Sequence, residues 1–397
     1  MFFYQRERDM NRRNFIKVVG VGIGAATLSS AIISVNSNGT PDDNYGWNGP
    51  SPEQQDIRMQ VLSYAILSPN PHNIQPWIIK LTGPLSFDLY VDPNRLLPKT
   101  DPIYRQIHIG QGTFLETLAI AATGLGYEAS FDYFPQGMYS NTELLDKPVA
   151  SVVLNKQSTF TPDPLFAHIL TRQSNKRGYN NYQLTQTEVE TLKAFTNKRG
   201  QYPLTITHSA SDKQNLEKIL TEAMQIEVDD RDRSHETLAM FRFNDDEVKK
   251  YRDGFGVAQS GVTGIKKMIA ENFFLSRKEI ELDPTEFDRQ SVVMVKDTVT
   301  STETFGWISS AGNTRLDQIK VGQDYARLNL QTAAMGLVQH PMSQVLQEYS
   351  DMLPLQASFK ETFKISKDDT VQMLFRLGKA NRTPPSARRV VSQLMKS

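Results

Sequence analysis

The chain has 397 residues, and its 44 Lys plus Arg balance 44 Asp plus Glu, so no net charge recruits nucleic acid. It has no cysteine, which excludes disulfides, thiolate catalysis, iron–sulfur clusters and a lipoprotein anchor. This length accommodates two or three domains, or one domain with a duplicated core, and a hydrophobic content of 39% is enough for a globular interior.

Residues 1–35 read as a targeting segment. Asn11-Arg12-Arg13-Asn14-Phe15-Ile16-Lys17 precedes a Gly/Ala/Val/Ile run over 18–35. The paired arginines followed by Phe15 and Lys17 resemble a twin-arginine translocation signal. That resemblance implies export in the folded state, to the periplasm or cell envelope, through the twin-arginine machinery. Translation starts at Met1 or Met10, and an uncleaved run would serve as a membrane tether. Gly20-Val21-Gly22-Ile23-Gly24 approximates a dinucleotide fingerprint. It lacks the following helix and the second strand ending in an acid. Residues 36–50, rich in Asn, Gly, Ser, Pro and Asp, read as a linker.

A helix is expected over 52–67, with Ser51 as N-cap and Pro52 in the first helical position. Ser68-Pro69-Asn70-Pro71-His72-Asn73-Ile74-Gln75-Pro76-Trp77 follows. The prolines stop the helix and stiffen a loop that presents Ser68, His72, Asn73 and Gln75, uncharged groups suited to the edge of a polar heterocycle. Strands are expected over 77–81, 87–91, 127–134 and 149–154, and a helix rich in small residues over 107–124. At an offset of 212 that helix matches 319–337 with eight identities in nineteen positions, which reads as an internal duplication.

Thr171-Arg172-Gln173-Ser174-Asn175-Lys176-Arg177 opens the second half. Arg172, Ser174 and Arg177 suit a phosphate monoester. Thr185 and Glu188 have capping-box spacing for a helix over 186–195. Residues 216–304 read as a polar, helical excursion, either a cover for apolar surface or a lid hinged at Gly254, Gly256, Gly261 and Gly264. A strand over 371–377 precedes Pro384-Pro385-Ser386-Ala387-Arg388-Arg389. The six histidines show no metal spacing, and His-Glu-x-x-His, P-loop and Gly-x-Ser-x-Gly motifs are absent.

Taken together, the Asn73-x-Gln75-Pro76-Trp77 loop, the Arg172-x-Ser174-x-x-Arg177 group and the C-terminal Arg388-Arg389 resemble the nitroreductase superfamily. The mature chain resembles its Acg-type branch, in which two halves form a pseudo-dimer. The resemblance implies an α+β fold: two central mixed sheets flanked by helices, a first half over 51–160, a second over 161–397, and a lid-like insertion over about 217–304. It implies FMN bound between the halves in one complete site, with the second site decayed. Ser68, His72, Asn73 and Gln75 would face the ring. Arg172, Ser174, Arg177, Arg388 and Arg389 would face the phosphate, Arg388 or Arg389 being the C-terminal contact. Gly306 and Trp307 would lie in a loop beside the isoalloxazine. Arg376 would be either a phosphate contact or a structural ion-pair partner. The implied activity is hydride or electron transfer to a nitroaromatic, quinone or similar acceptor from an unidentified reductant, with no catalytic side chain and no metal. The alternative is a non-enzymatic flavin-binding protein whose lid blocks turnover.

Overall fold

The computed structural model describes residues 46–197, 202–262, 267 and 276–396. The signal segment, residues 36–45 of the linker and Gly264 lie outside the described residues.

Helix α1 (Ile57–Ala65) starts later than the sequence suggests, because Asp56 rather than Ser51 accepts the capping N–H, that of Arg58. Strands β1 (Trp77–Gly83) and β2 (Ser86–Val91) form a hairpin. Helix α2 (Arg105–Gly124) is buried over most of its length. Strands β3 (Tyr127–Tyr133) and β4 (Ala150–Lys156) complete a sheet of order β1-β2-β4-β3.

The second half opens with α3 (Gln186–Asn197). The Thr185–Glu188 capping box is in place, the Thr185 N–H donating to Glu188 at 2.8 Å and the Glu188 N–H to Thr185 Oγ1 at 3.2 Å. Strand β5 (Leu204–Thr207) leads into the excursion. That excursion holds α4 (Ala210–Asp229), α5 (Arg231–Met240), β6 (Phe241–Arg242), α6 (Asp245–Tyr251), β7 (Phe255–Gly256), α7 (Arg277–Leu282) and α8 (Thr285–Thr300). Then come β8 (Thr304–Ser310), α9 (Arg315–Ala334), β9 (Val338–Pro341), α10 (Leu353–Thr362) and β10 (Thr370–Gly378), giving a sheet of order β5-β8-β10-β9.

Both sheets share one plan. The first, second, fourth and third strands lie in that spatial order, and a 20-residue helix sits between the second and third. The four strands of each are antiparallel, and one parallel bridge adds to each sheet: Ile79 with Met395, and Ser174 with Gln339. The architecture is thus α+β with two like halves.

Helices α2 and α9 pack against each other through glycine. A Cβ on Gly112 would lie 1.9 Å from the Ile319 carbonyl oxygen, and one on Gly322 would lie 2.1 Å from that of Ile109. These reciprocal contacts relate the helices by an offset of 210, not 212. The same offset pairs Arg105 with Arg315, which open the helices, and Gly126 (φ 81) with Gly336 (φ 69), which follow them in the left-handed region. The eight identities at 212 are two Gly, two Ala, two Leu, one Ile and one Gln, mostly small and apolar types that buried helices share, and they do not mark the packed register. Backbone approach, not side-chain type, sets the register.

Candidate functional site

A cavity of about 840 Å³ opens between the halves, within the range of a small-molecule site. Three segments far apart in sequence form one end of it: residues 69–73, residues 172–176 and residues 383–388.

The loop is held in an unusual shape. His72 (φ 46), Asn73 (φ 55) and Gln75 (φ 56) all occupy left-handed backbone, which costs of order 1 kcal/mol or more for such residues unless the surroundings impose it. Here they do. The Asn73 amide donates to the carbonyls of Gly254 and Ala387, both at 2.9 Å, and its Oδ1 accepts from Arg388. Gln75 donates to the Arg252 carbonyl at 2.8 Å and accepts from the Arg389 N–H at 2.7 Å. The loop is therefore stitched to the excursion and to the C-terminal segment at once.

Arg172 and Arg388 are the main electrostatic feature. Both are buried, at 4% and 2% exposed, and both wall the cavity. Arg172 donates to the Leu67 carbonyl at 2.8 Å and to Asn329 at 3.0 Å. Both guanidiniums also stack on the Trp47 indole, at 5.5 and 5.4 Å. Among the described residues neither has a carboxylate within ion-pair distance. Burial holds Arg172 down to about 10; burial, then the Arg172 charge, holds Arg388 well below its ordinary value. Two desolvated cations with no counter-charge are costly, and an anion in the cavity would relieve that cost.

Lys176 adds a third cation, 3.6 Å above the Phe255 ring, lowered to about 8 by burial and then by Arg376. His72 packs against Phe255 as well, with centroids 5.5 Å apart. Burial, then Lys176, lowers His72 to about 4, so it is neutral at pH 7, and its Nδ1 is buried without a partner. Further unpartnered buried atoms on the cavity wall are Gln106 Nε2, Tyr325 Oη and Gln347 Oε1.

Of the residues singled out from sequence, His72, Asn73, Arg172, Ser174 and Arg388 reach the cavity. Gln75 and Arg389 do not line it. They clamp the loop from behind, Arg389 donating to the Gln75 carbonyl at 3.0 Å and lying 3.7 Å from Asp92. Ser68 lies under the loop with its hydroxyl buried and unpartnered, and Arg177 is turned away, its aliphatic stem against Gly261.

Gly306 and Trp307 are corrected outright. They belong to the middle of β8, not to a loop, and Trp307 packs edge-on against Phe359 and Phe363. The run Thr304–Ser310 is buried on both faces, and a fully buried strand shows none of the alternation that would mark it in sequence. Arg376 is structural, and among the described residues it pairs with no carboxylate. It donates to the Asn175 and Arg177 carbonyls and to His340 Nδ1, and so holds the 172–177 turn in place.

Trp47, Lys176 and Phe255 are the residues that sequence reading passed over. Trp47 falls in the stretch taken as linker, yet it is buried and donates to the Ser386 carbonyl at 2.8 Å. A tryptophan in an otherwise polar run was the available signal. Among the described residues no group of three or more His, Cys, Asp or Glu is placed to hold a metal ion, and no helix is long and apolar enough to cross a membrane.

The fold and site thus define an α+β protein of two like halves around a cation-walled cavity. No family model matches the chain. Over 84 residues it is 33% identical to proteins of Mycobacterium tuberculosis strains CDC 1551 / Oshkosh and H37Rv, both named as NAD(P)H nitroreductases. The match takes in 21% of this chain and spans about a quarter (24%) of those relatives' length. Among solved structures, a nitroreductase with bound FMN from Bacteroides fragilis aligns over 55% of this chain and 89% of its own, at 8% identity and a TM-score of 0.31. The FMN-dependent nitroreductase of Mycobacterium smegmatis in complex with NADPH aligns over 54% and 88%, at 11% identity and 0.29. Both structural alignments are loose.

Proposed function

We propose that the chain is an FMN-dependent oxidoreductase of the nitroreductase type, with one flavin in the cavity between its halves. The observation that carries this is the Arg172–Arg388 pair, two buried guanidiniums on the cavity wall without a carboxylate. The residues present fit the group. Arg172, Arg388 and Lys176 would hold its phosphate, with Ser174 beside them. The unpartnered His72 Nδ1 would face a ring edge. Bound FMN supplies hydride and electron transfer. The chain orients it, excludes water with Phe255 and the excursion, and presents a neutral His72 at pH 7.

The acceptor classes in this proposal are nitroaromatics and quinones, with NAD(P)H as reductant on the strength of the relatives' names. The twin-arginine pattern Arg12-Arg13 supports export as a further part of it. A second reading, a flavin-binding protein without turnover, is favoured by one observation: residues 252–254 are hydrogen-bonded to the loop and to Arg388, which pins the excursion.

The test is the visible absorbance of the purified chain with and without added FMN. About one flavin per chain is expected. A colourless protein that refuses added FMN overturns the proposal. Steady-state reduction of a quinone no faster than by free FMN would select the second reading.

A further inference from the structure

The cavity is electrically lopsided. Arg172, Lys176 and Arg388 stand at one end. The other end lies at the start of α2 and is built of acids and amides. A chain of contacts ties it into one cluster. The Thr237 hydroxyl donates to Glu227 at 3.4 Å, and the neighbouring Glu236 accepts from the Thr100 N–H at 2.7 Å. Asp101, next in sequence, accepts from the N–H groups of Gln106 at 3.1 Å and Ile107 at 2.9 Å. Gln347 completes the wall; its neighbour Glu348 pairs with Arg105, which opens α2.

Two features point this end at a ligand. Gln106 Nε2 and Gln347 Oε1 are buried without partners among the described residues, on cavity-lining residues each 7% exposed. Glu227 is 4% exposed and, among the described residues, accepts only that long hydroxyl contact, because nearby Arg233 is committed to Asp351 through two contacts of 2.8 Å. Asp101 is different, since the N-terminus of α2 occupies both its oxygens. Among the described residues, the excursion lines the cavity with Glu227, Glu279, Asp283 and Glu286 and with no lysine or arginine.

We propose that this far end is a substrate subsite for a small cation, an electron acceptor bearing a protonated amine, with Glu227 as its counter-charge and Gln106 and Gln347 as its hydrogen-bond partners. An anionic group at the Arg172–Arg388 end and a cation at the Glu227 end neutralise both walls together. A neutral or anionic acceptor leaves Glu227 unmatched, so charge sets specificity here. The proposal rests on the oxidoreductase reading only for the words electron acceptor; the cation preference is read by binding.

The test is calorimetric titration of the full chain, with and without FMN, using 4-nitrobenzylamine, 4-nitrobenzyl alcohol and 4-nitrobenzoate. These share a ring and a nitro group and differ in charge at neutral pH. The amine is expected to bind about tenfold or more tightly than the other two, a difference of about 1.4 kcal/mol. Glu227→Gln should bring the three within about threefold, and Gln347→Glu, which adds a carboxylate, should widen the preference. Equal binding of the three, binding of none, or a preference that survives Glu227→Gln overturns the subsite. If Glu227→Gln does not fold, a Gln347→Glu protein with an unchanged or reduced preference overturns it instead. Flavin content, read by absorbance on the same samples, is separate. A colourless protein that still prefers the amine keeps the subsite and loses the flavin reading.

Discussion

Arg388 donates to the side-chain oxygen of Asn73 across a sequence separation of 315 residues, while the Asn73 amide donates to the carbonyls of Gly254 and Ala387. One side chain therefore joins the proline-rich loop, the excursion and the C-terminal segment. Asn73→Ala leaves two buried carbonyls and a buried guanidinium short of partners. It should destabilise by about 2–4 kcal/mol. Urea denaturation measures that loss, and amide hydrogen exchange should show residues 386–389 opening first.

The phosphate end can be weighed by comparing FMN with riboflavin. If Arg388 and Arg172 meet the phosphate, FMN binds more tightly than riboflavin, and Arg388→Met narrows the gap by about ten- to a hundredfold, the worth of a charge-assisted hydrogen bond. Arg177→Ala should leave the gap intact, because Arg177 does not reach the cavity. Fluorescence titration with both flavins reads this directly, and an Arg177 effect equal to that of Arg388 would contradict the geometry.

Gly112 and Gly322 set the spacing of the two central helices. Gly112→Ala places a methyl 1.9 Å from a carbonyl oxygen that belongs to a helix backbone and cannot step aside. A loss of about 3 kcal/mol or more is expected. Gly110→Ala meets the Pro71 ring at 3.3 Å and the Asn70 Cβ at 3.5 Å, with nothing closer, and should cost far less. Similar denaturation midpoints for the two variants would refute the packing argument.

Burial raises the Glu227 carboxyl from its usual 4.5 to about 7. The folded protein thus holds this proton more tightly than the unfolded chain. The contribution to stability is complete below the unfolded value and is lost as pH rises through about 7. Glu227→Gln cannot lose a proton, so it should gain on the parent between about pH 6 and pH 8, by about 1 kcal/mol. Thermal unfolding at both pH values checks the sign, and a constant difference would mean that Glu227 is already ionised in the fold.

Trp307→Ala tests the corrected role of that residue. It removes the centre of an aromatic cluster and should cost about 3–5 kcal/mol. The folded fraction should still take the same amount of flavin.

Local rules reached most of the secondary structure. Thr185 and Glu188 announce their helix, and the prolines at 69, 71 and 76 announce the loop. Arg172, Ser174, His72, Asn73 and Arg388 were legible as polar groups in rigid turns. What local rules cannot reach is which side of a turn faces a cavity. Arg388 and Arg389 are adjacent and identical, yet Arg388 faces the cavity and Arg389 turns back to Gln75. Lys176 and Arg177 split the same way. Glu227, Gln106 and Gln347 come from three separate elements, and only tertiary packing brings them together. The two-residue slip in the repeat has the same origin, since helix contact depends on backbone approach.

The C-terminal segment has a bearing on how the protein matures. Lys396 donates its N–H to the Ile79 carbonyl at 2.7 Å, and Arg388 and Arg389 lock the loop between Asn73 and Gln75. The proline-rich loop thus waits for a segment made 315 positions later. Until residues 383–388 have left the ribosome, the cavity lacks part of its wall and one of its two inner guanidiniums. A chain that stops before Arg388 therefore lacks one of the two buried guanidiniums and the contacts to Asn73 and Gln75 that hold the loop.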